Sequence, residues 1–223
     1  SCGHTEFDVI YDFGEVPLAG SFPKEPDAKI TTYPLKIVKC KHCELVQTNT
    51  LIPPKTLFKD YRYISSVGMQ NHFNNFADWL VRTQKITPNS KVLEFGCNDG
   101  PLLDALKHRG IHNTIGVDPA TNIVELGRRK SLDIIDDFFN YNFAKNKEWE
   151  DKFDLILASN TFAHIEDNNS VIKGVHYSLK PKGRFIFEVQ YLVDLVDKFQ
   201  FDFMYHEHLF YYTVTSLKPL LSK

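Results

Sequence analysis

Val92-Leu93-Glu94-Phe95-Gly96-Cys97-Asn98-Asp99-Gly100-Pro101-Leu102-Leu103 is the stretch on which the fold turns. An apolar run, Val92 to Phe95, carries one acid and breaks into a turn bounded by Gly96 and Gly100. Leu102, Leu103 and Leu106 then recur at helical spacing until Gly110. A buried strand passing through a glycine-bounded turn into a helix is the opening of a βαβ unit. Downstream the pattern repeats. Thr114 to Val117 reads as a second strand, followed by a helix to about Lys130. Leu132 to Ile135 is a short third strand and Phe153 to Ala158 a fourth. A helix over about Asn168 to Leu179 leads, through Pro181 and Gly183, to Arg184–Val189. Strands alternating with helices at this spacing predict an α/β, doubly wound, mostly parallel sheet with right-handed crossovers.

In such a sheet, ligands bind at the carboxyl ends of the strands. Three strand ends in succession carry suitable chemistry. At the first, Glu94 precedes a G-x-x-x-G turn, Gly96-Cys97-Asn98-Asp99-Gly100, rather than the G-x-G-x-x-G of a dinucleotide site. Its glycines let backbone pass close to a ligand, and the acid suits a zwitterionic amino-acid tail better than a pyrophosphate. At the second, Asp118 in Gly116-Val117-Asp118-Pro119 can accept both ribose hydroxyls of a nucleoside. At the third, Asp136-Asp137-Phe138-Phe139 offers an acid for an adenine amine and a ring to stack on it. A turn glycine pair and a surface aspartate would explain any one of these. The ordered set points to an adenosyl ligand on Glu94, Gly96, Asn98, Gly100, Asp118, Pro119, Asp137, Phe138 and Asn160, with Cys97 a small filler in the same turn.

The texture before Ser65-Ser66 is different. Short β-like runs, Phe7 to Tyr11, Leu35 to Lys39 and Leu45 to Thr48, are separated by loops around Pro17, Pro23, Pro26, Pro34 and Pro53-Pro54. This first lobe is poor in aliphatic core, and Cys40-Lys41-His42-Cys43 supplies a knuckle that can hold zinc. Cys2 is the natural third ligand, with His4 or His42 able to stand in as a fourth. A redox dithiol uses the same spacing but sits at a helix start. After Ser66, a plausible N-cap, Met69, Phe73, Phe76, Ala77 and Leu80 recur at helical spacing. The reading divides the chain into a zinc-binding lobe over 1–64 and the α/β domain over 65–223.

The densest titratable stretch is Tyr205-His206-Glu207-His208, and Asn160-Thr161-Phe162-Ala163-His164 follows the fourth strand. Histidine titrates near neutrality and can take a proton from carbon beside a ketone. A glutamate can orient it, and a tyrosine can hydrogen-bond an enolate oxygen. Tyr61-Arg62-Tyr63-Ile64-Ser65-Ser66 lies at the lobe junction.

A chain of 223 residues buries roughly 70% of its unfolded surface and needs no disulfide scaffold. Its net charge of −2 argues against gripping a phosphate backbone, so no nucleic-acid partner is expected. No stretch approaches the apolar length of a membrane span, and Ser1-Cys2-Gly3-His4 is no secretory signal. A cytoplasmic setting with reduced thiols is expected.

Together these residues resemble one family, the S-adenosylmethionine-dependent sugar C-methyltransferases of deoxysugar biosynthesis. The resemblance is carried by Pro17-Leu18-Ala19 with Phe22, Tyr33-Pro34-Leu35, Cys40-x-x-Cys43 with Leu45-Val46-Gln47, and Tyr61-x-Tyr63-x-Ser65-Ser66. It continues in Val92-Leu93-Glu94-x-Gly96-x-Asn98-Asp99-Gly100, Gly116 to Ala120, Ala163-His164 and Tyr205-His206-Glu207-His208. It implies a Rossmann-like methyltransferase core behind a small β lobe holding structural zinc on Cys2, Cys40 and Cys43. It also implies a nucleotide-linked 4-keto-deoxysugar methylated at carbon 3 through an enolate. His208 is the base under this resemblance. Tyr205, Glu207 and His164 line the sugar, and Tyr63 reaches in from the junction. The family continues beyond the position of Lys223, so either a fragment or a shortened natural form is expected, with an exposed sheet edge open to self-association. The competing readings are a zinc-bearing methyltransferase acting on RNA or another small molecule, and a non-catalytic cofactor-binding relative.

Overall fold

The computed structural model describes residues 2–23, 25, 27–58 and 61–222, with backbone alone at residue 55; Pro26 lies outside the described residues. The chain begins with β1 (Phe7–Pro17), β2 (Thr32–Cys40) and β3 (Val46–Thr48). β1 and β2 pair antiparallel over a register from Phe7↔Cys40 to Pro17↔Thr32, with bulges between Val9 and Tyr11 and between Asp12 and Glu15. Pro17 and Pro34, read from sequence as loop residues, lie within these strands. Pro34 is tolerated because β3 pairs only with Ile37–Lys39, so its missing N–H breaks no ladder bond.

Next come α1 (Pro54–Phe58) and α2 (Ser66–Gln84). The expected Ser66 cap is replaced: Ser65 precedes the helix, has helical dihedrals and makes no side-chain cap. The exposed donors find other acceptors, described below. α2 also breaks at Val67 and Gly68, where Gly68 has φ +90°. Its buried face, Phe73, Ala77 and Leu80, packs on Val92, Leu102, Leu106, Leu155 and Leu157. Each such aliphatic side chain contributes roughly 1.5–3 kcal/mol by leaving water.

The sheet elements follow in alternation: β4 (Val92–Phe95), α3 (Pro101–Lys107), β5 (Thr114–Asp118), α4 (Thr121–Arg129), β6 (Ile134–Asp136), α5 (Tyr141–Asn146), β7 (Phe153–Ser159), α6 (Asn168–Ser178) and β8 (Leu179–Glu188). All pairings are parallel, in the order β6-β5-β4-β7-β8. The third strand is shorter and later than Leu132–Ile135. Pro181 and Gly183 lie in a bulge of β8 rather than before it, since Leu179 already pairs with Phe153 and Arg184 resumes opposite Leu155. β4 is the switch point: β5 and β6 extend the sheet one way, β7 and β8 the other. A crevice at its carboxyl end is the default ligand site.

The chain ends with α7 (Leu192–Asp197), β9 (Phe210–Tyr211) and α8 (Val214–Leu221). β9 pairs with β3, giving a second sheet β1-β2-β3-β9. The chain accordingly forms two compact units. One comprises Ser1–Pro53, Ala163–Asn169 and Val189–Lys223; the other comprises Pro54–Phe162 and Ser170–Glu188. The sequence reading placed 163–169 and 189–223 with the α/β domain. They group with the first lobe because β9 sends its hydrogen bonds to β3, and Leu35, Ile37 and Val46 form a core with Leu195 and Tyr211. Among the described residues, no helix is long and apolar enough to cross a membrane.

Candidate functional site

In the α/β unit, Glu94, Asp118 and Asp137 stand at the ends of three adjacent parallel strands. Gly96 adopts φ +64°, and a Cβ there would collide with the Thr161 side chain. Thr161 Oγ1 donates to Gly96 O at 3.1 Å and so ties the turn to the end of β7. Nothing in the sequence pattern singled out Thr161. Gly100, at φ +76°, is hemmed by Leu132 and Ile134, and Pro101 opens α3 with its preset φ.

Asp118 is buried, and its two oxygens accept one backbone N–H each: Asn98 N–H at 2.8 Å and Ala120 N–H at 2.9 Å. A carboxylate has about four lone-pair sites, so one on each oxygen remains, which matches the two hydroxyls of a ribose. Burial pushes the Asp118 carboxyl up, the two N–H donors pull it down, and the charges of Asp136 and Asp99 raise it. Glu94 is fully buried. Burial pushes it up to about 8, with the Asp118 charge adding and a Ser159 hydroxyl opposing, and its Oε2 has no partner among the described residues. A buried acid with an orphaned oxygen is suited to a cationic ligand group.

The third strand end divides its work. Asp137 is exposed and accepts the Phe138 N–H at 2.7 Å, and Phe138 is 41% exposed with its ring available to a ligand. Phe139 instead stacks on Phe95, centroids 4.9 Å apart. Cys97 is buried among Leu103, Val124, Leu132 and Ile134, which makes it the filler the sequence suggested. Pro119 is partly buried between Asp118 and Ala120. Asn160, at φ +53°, donates to Glu188 Oε1 at 2.7 Å, while Glu188 Oε2 meets His72 Nε2 at 2.9 Å. This His72–Glu188 tie escaped the sequence reading, because 116 residues separate the partners.

The side chains of Asn98 and Asp99 turn away from the strand ends. Asn98 Oδ1 accepts Ser65 N–H at 2.8 Å and Asn98 Nδ2 donates to Tyr63 O at 3.1 Å. Asp99 Oδ1 accepts Ser66 N–H at 3.0 Å, and Lys130 Nζ lies 2.6 Å from Oδ2. Burial pushes Asp99 up, but Lys130 and the Ser66 donors outweigh it and hold the carboxyl below its ordinary range. Tyr63 belongs to this unit; its ring is half exposed and its hydroxyl donates to Met69 Sδ at 2.9 Å.

The other unit brings Tyr205, His208 and His164 together. His208 Nδ1 lies 2.7 Å from Phe203 O, which can only accept, so Nδ1 carries the proton. Burial pushes the imidazole pKa down, with the Phe203 bond opposing, which favours the neutral ring. Nε2 therefore holds the lone pair and accepts from Tyr205 Oη at 2.9 Å. His164 packs against this ring at 4.8 Å; burial, then the neighbouring His208, pushes it down to about 3. Glu207 is half-buried beside them in sequence.

Cys2, Cys40 and Cys43 present thiols that all lie within 4.8 Å of one another, Cys2 Sγ and Cys40 Sγ being 3.6 Å apart. Around tetrahedral zinc with Zn–S bonds of about 2.3 Å, neighbouring sulfurs stand about 3.8 Å apart, so the three thiols fit the ion. Cys2 also groups with His4 and His42, whose rings stack at 3.7 Å, which leaves both histidines open as the fourth ligand.

Residues 69–223 match a family described as "Methyltransferase domain", and residues 1–58 one described as "Putative zinc binding domain". The C-methyltransferase NovU of Streptomyces niveus is 33% identical over 224 residues, spanning 98% of this chain and 53% of that protein. The ubiquinone biosynthesis O-methyltransferase of Actinobacillus pleuropneumoniae serotype 5b (strain L20) is 33% identical over 107 residues, 44% of each. The chain thus spans about half the length of these curated relatives. Among solved structures, a SAM-dependent methyltransferase from Archaeoglobus fulgidus superposes with a TM-score of 0.56 at 18% identity, covering 67% of each chain. Haemonchus contortus phospholethanolamine N-methyltransferase 2, solved with S-adenosylhomocysteine, gives 0.53 at 15% identity over 67% of this chain and 36% of that one. At these identities the superpositions establish the fold, that of S-adenosylmethionine-dependent methyltransferases.

Proposed function

The chain belongs to the methyltransferase domain family, and from that premise we propose that it takes part in S-adenosylmethionine-dependent C-methylation of a nucleotide-linked 4-keto-deoxysugar. The observation that carries the cofactor half of the reading is Asp118, buried yet with one lone pair left on each oxygen. The acceptor half leans on the likeness to a C-methyltransferase and on the Tyr205–His208 pair.

When bound, S-adenosylmethionine supplies an electrophilic methyl group for a substrate carbanion. Asp118 binds the ribose hydroxyls and Glu94 the cationic amino group. Phe138 stacks on the adenine beside Asp137. Glycines at 96 and 100 let the turn backbone close on the methionyl tail. His208 takes the C3 proton on Nε2, the nitrogen that its Phe203 bond leaves unprotonated. Tyr205, already donating to that nitrogen, becomes the donor to the enolate oxygen, with Glu207 and His164 lining the sugar; Tyr63 has its role from the family resemblance alone. The 4-keto group acidifies the C3 proton, so zinc on Cys2, Cys40 and Cys43 serves the fold rather than the chemistry. Cysteines kept reduced, as zinc ligation requires, suit a cytoplasmic setting.

The test is calorimetric titration with S-adenosylhomocysteine on wild type and Asp118→Ala, then mass spectrometry of nucleotide-linked 4-keto-deoxysugars incubated with wild type and His208→Asn. The expected results are micromolar binding lost in Asp118→Ala, and a product 14 Da heavier (about one CH₂) with wild type alone, at least 10²-fold reduced in His208→Asn. Binding by wild type with no methylated 4-keto-sugar would move the reading to another small-molecule acceptor.

A further inference from the structure

The turn Gly96–Gly100 holds two polar side chains whose hydrogen bonds reach a distant segment of the chain. Asn98 is 7% exposed and Asp99 1% exposed. Buried polar groups are costly unless every one is paired, so their partners disclose their purpose. Lys130 apart, those partners lie in Tyr61–Ser66, more than thirty residues earlier. Asn98 clasps Tyr63 O and Ser65 N–H with the two ends of one amide, and Asp99 takes Ser66 N–H while Lys130 fixes its other oxygen. At the far end of the same segment, Asn122 Nδ2 of α4 donates to Tyr61 O at 2.8 Å.

No residue of 61–66 is buried, so apolar packing contributes little to holding this strap. Polar bonds from the turn and from α4 do. The strap ends at the Val67–Gly68 break in α2, a natural pivot. The same Asn98 that grips the strap by its side chain donates its backbone N–H to Asp118 Oδ2. One residue therefore joins the carboxylate assigned to the ribose with the segment that carries Tyr63. Its φ of +53° is a conformation that asparagine tolerates better than most side chains.

We propose that Asn98 and Asp99 are positioning residues: they clasp the Tyr61–Ser66 strap to the cofactor turn, so that cofactor occupancy and strap order are energetically coupled. The coupling rests on the reading that S-adenosylmethionine occupies this turn. Occupancy of Asp118 steadies the loop bearing Asn98, which steadies the strap and the position of Tyr63. Coupling of this kind is reciprocal: whatever factor the ligand adds to strap closure, an opened strap subtracts from ligand affinity.

That reciprocity gives the experiment. Amide hydrogen exchange at Ser65 is measured in the full chain, with and without saturating S-adenosylhomocysteine. Calorimetry then gives the affinity of wild type and Asn98→Gly. Glycine keeps the φ of +53° without strain and the N–H to Asp118, and it removes the amide that makes the clasp. The expected result is at least tenfold faster Ser65 exchange in Asn98→Gly. In wild type the ligand slows Ser65 exchange by some factor, and Asn98→Gly weakens ligand binding by up to that factor, which is the full loss expected of a strap that stays open. Asn122→Ala, a surface change that frees only the Tyr61 end, shifts both quantities in the same direction by less. Unchanged Ser65 exchange in Asn98→Gly overturns the clasp, and ligand binding that leaves wild-type Ser65 exchange untouched overturns the coupling. A wild type that does not bind S-adenosylhomocysteine fails the cofactor reading and the coupling with it. Ser65 exchange in Asn98→Gly still decides the clasp, so the two failures are told apart.

Discussion

Replacing Glu94 by glutamine puts the electrostatics of the strand end to a direct test. Glu94 is fully buried, and burial lifts its pKa from an ordinary 4.5 to about 8. Between those values the folded protein holds a proton that the unfolded chain has released, so the native state binds more protons. Stability linked to this group is then complete below pH 4.5 and is lost progressively as pH rises through 8. At about 1.36 kcal/mol per decade the full span is worth roughly 5 kcal/mol, and from pH 5 to 8 about 3–4 kcal/mol falls within reach. Glutamine keeps the shape and cannot ionise. Urea unfolding of both proteins without cofactor, followed by tryptophan fluorescence, isolates the effect: Trp79 and Trp149 both lie in the α/β unit. Groups common to both proteins cancel in the difference. We expect Glu94→Gln to gain at least 2 kcal/mol on wild type between pH 5 and pH 8. A difference constant within about 0.5 kcal/mol would refute the reasoning, since Glu94 would then be ionised and compensated inside the fold.

Other outcomes follow from neighbouring geometry. Gly96→Ala, forced into φ +64° and against Thr161, is expected to destabilise the α/β unit by about 3 kcal/mol, and Thr161→Ala in the same chain should recover the part due to collision; urea midpoints of the single and double variants check it. Elemental analysis should find about one zinc per chain, lost in Cys43→Ser. Strong chelation should loosen the zinc-bearing unit and leave the tryptophan-monitored transition in place. His164, pushed down to about 3, is neutral in the fold and charged when unfolded below its ordinary 6.5. Stability of its unit should therefore fall on acidification, by about 2 kcal/mol at pH 5. Exchange of the Leu209 amide, bonded to Ala163 O, reports this, and the slope should shrink in His164→Gln.

The parallel sheet was legible because its central strands are short apolar runs closed by turns, and period separates them from the helices. β4 and β7 were found nearly to the residue, since Val92–Phe95 and most of Phe153–Ser159 are buried and tolerate few polar side chains. Glu94 stood out for the same reason: an acid inside such a run must serve something. The knuckle was legible through its spacing, as Cys40 closes β2 and Cys43 follows one tight turn later.

What escaped the sequence is what lies far apart in it. Asn98 reads as a ligand residue because its neighbours do, and Asp99 carries no separate role in the pattern. Only the folded chain shows their side chains spent on Ser65 and Ser66, 33 residues away. The expected Ser66 cap gives way to a start at Ser65, and the backbone leaves helical geometry at Val67 and Gly68 within the first turn. The return of β9 to β3 left no mark on the pattern, since a two-residue strand has no period to detect. His206 and His208 look alike in sequence. Folding alone decides that His208 faces Tyr205 with a lone pair while His206 lies buried against Pro34 O. Local pattern encodes burial and turn chemistry, which are properties of neighbours in the chain. Which distant backbone a side chain binds, and which nitrogen is left a lone pair, are settled only when the chain closes on itself.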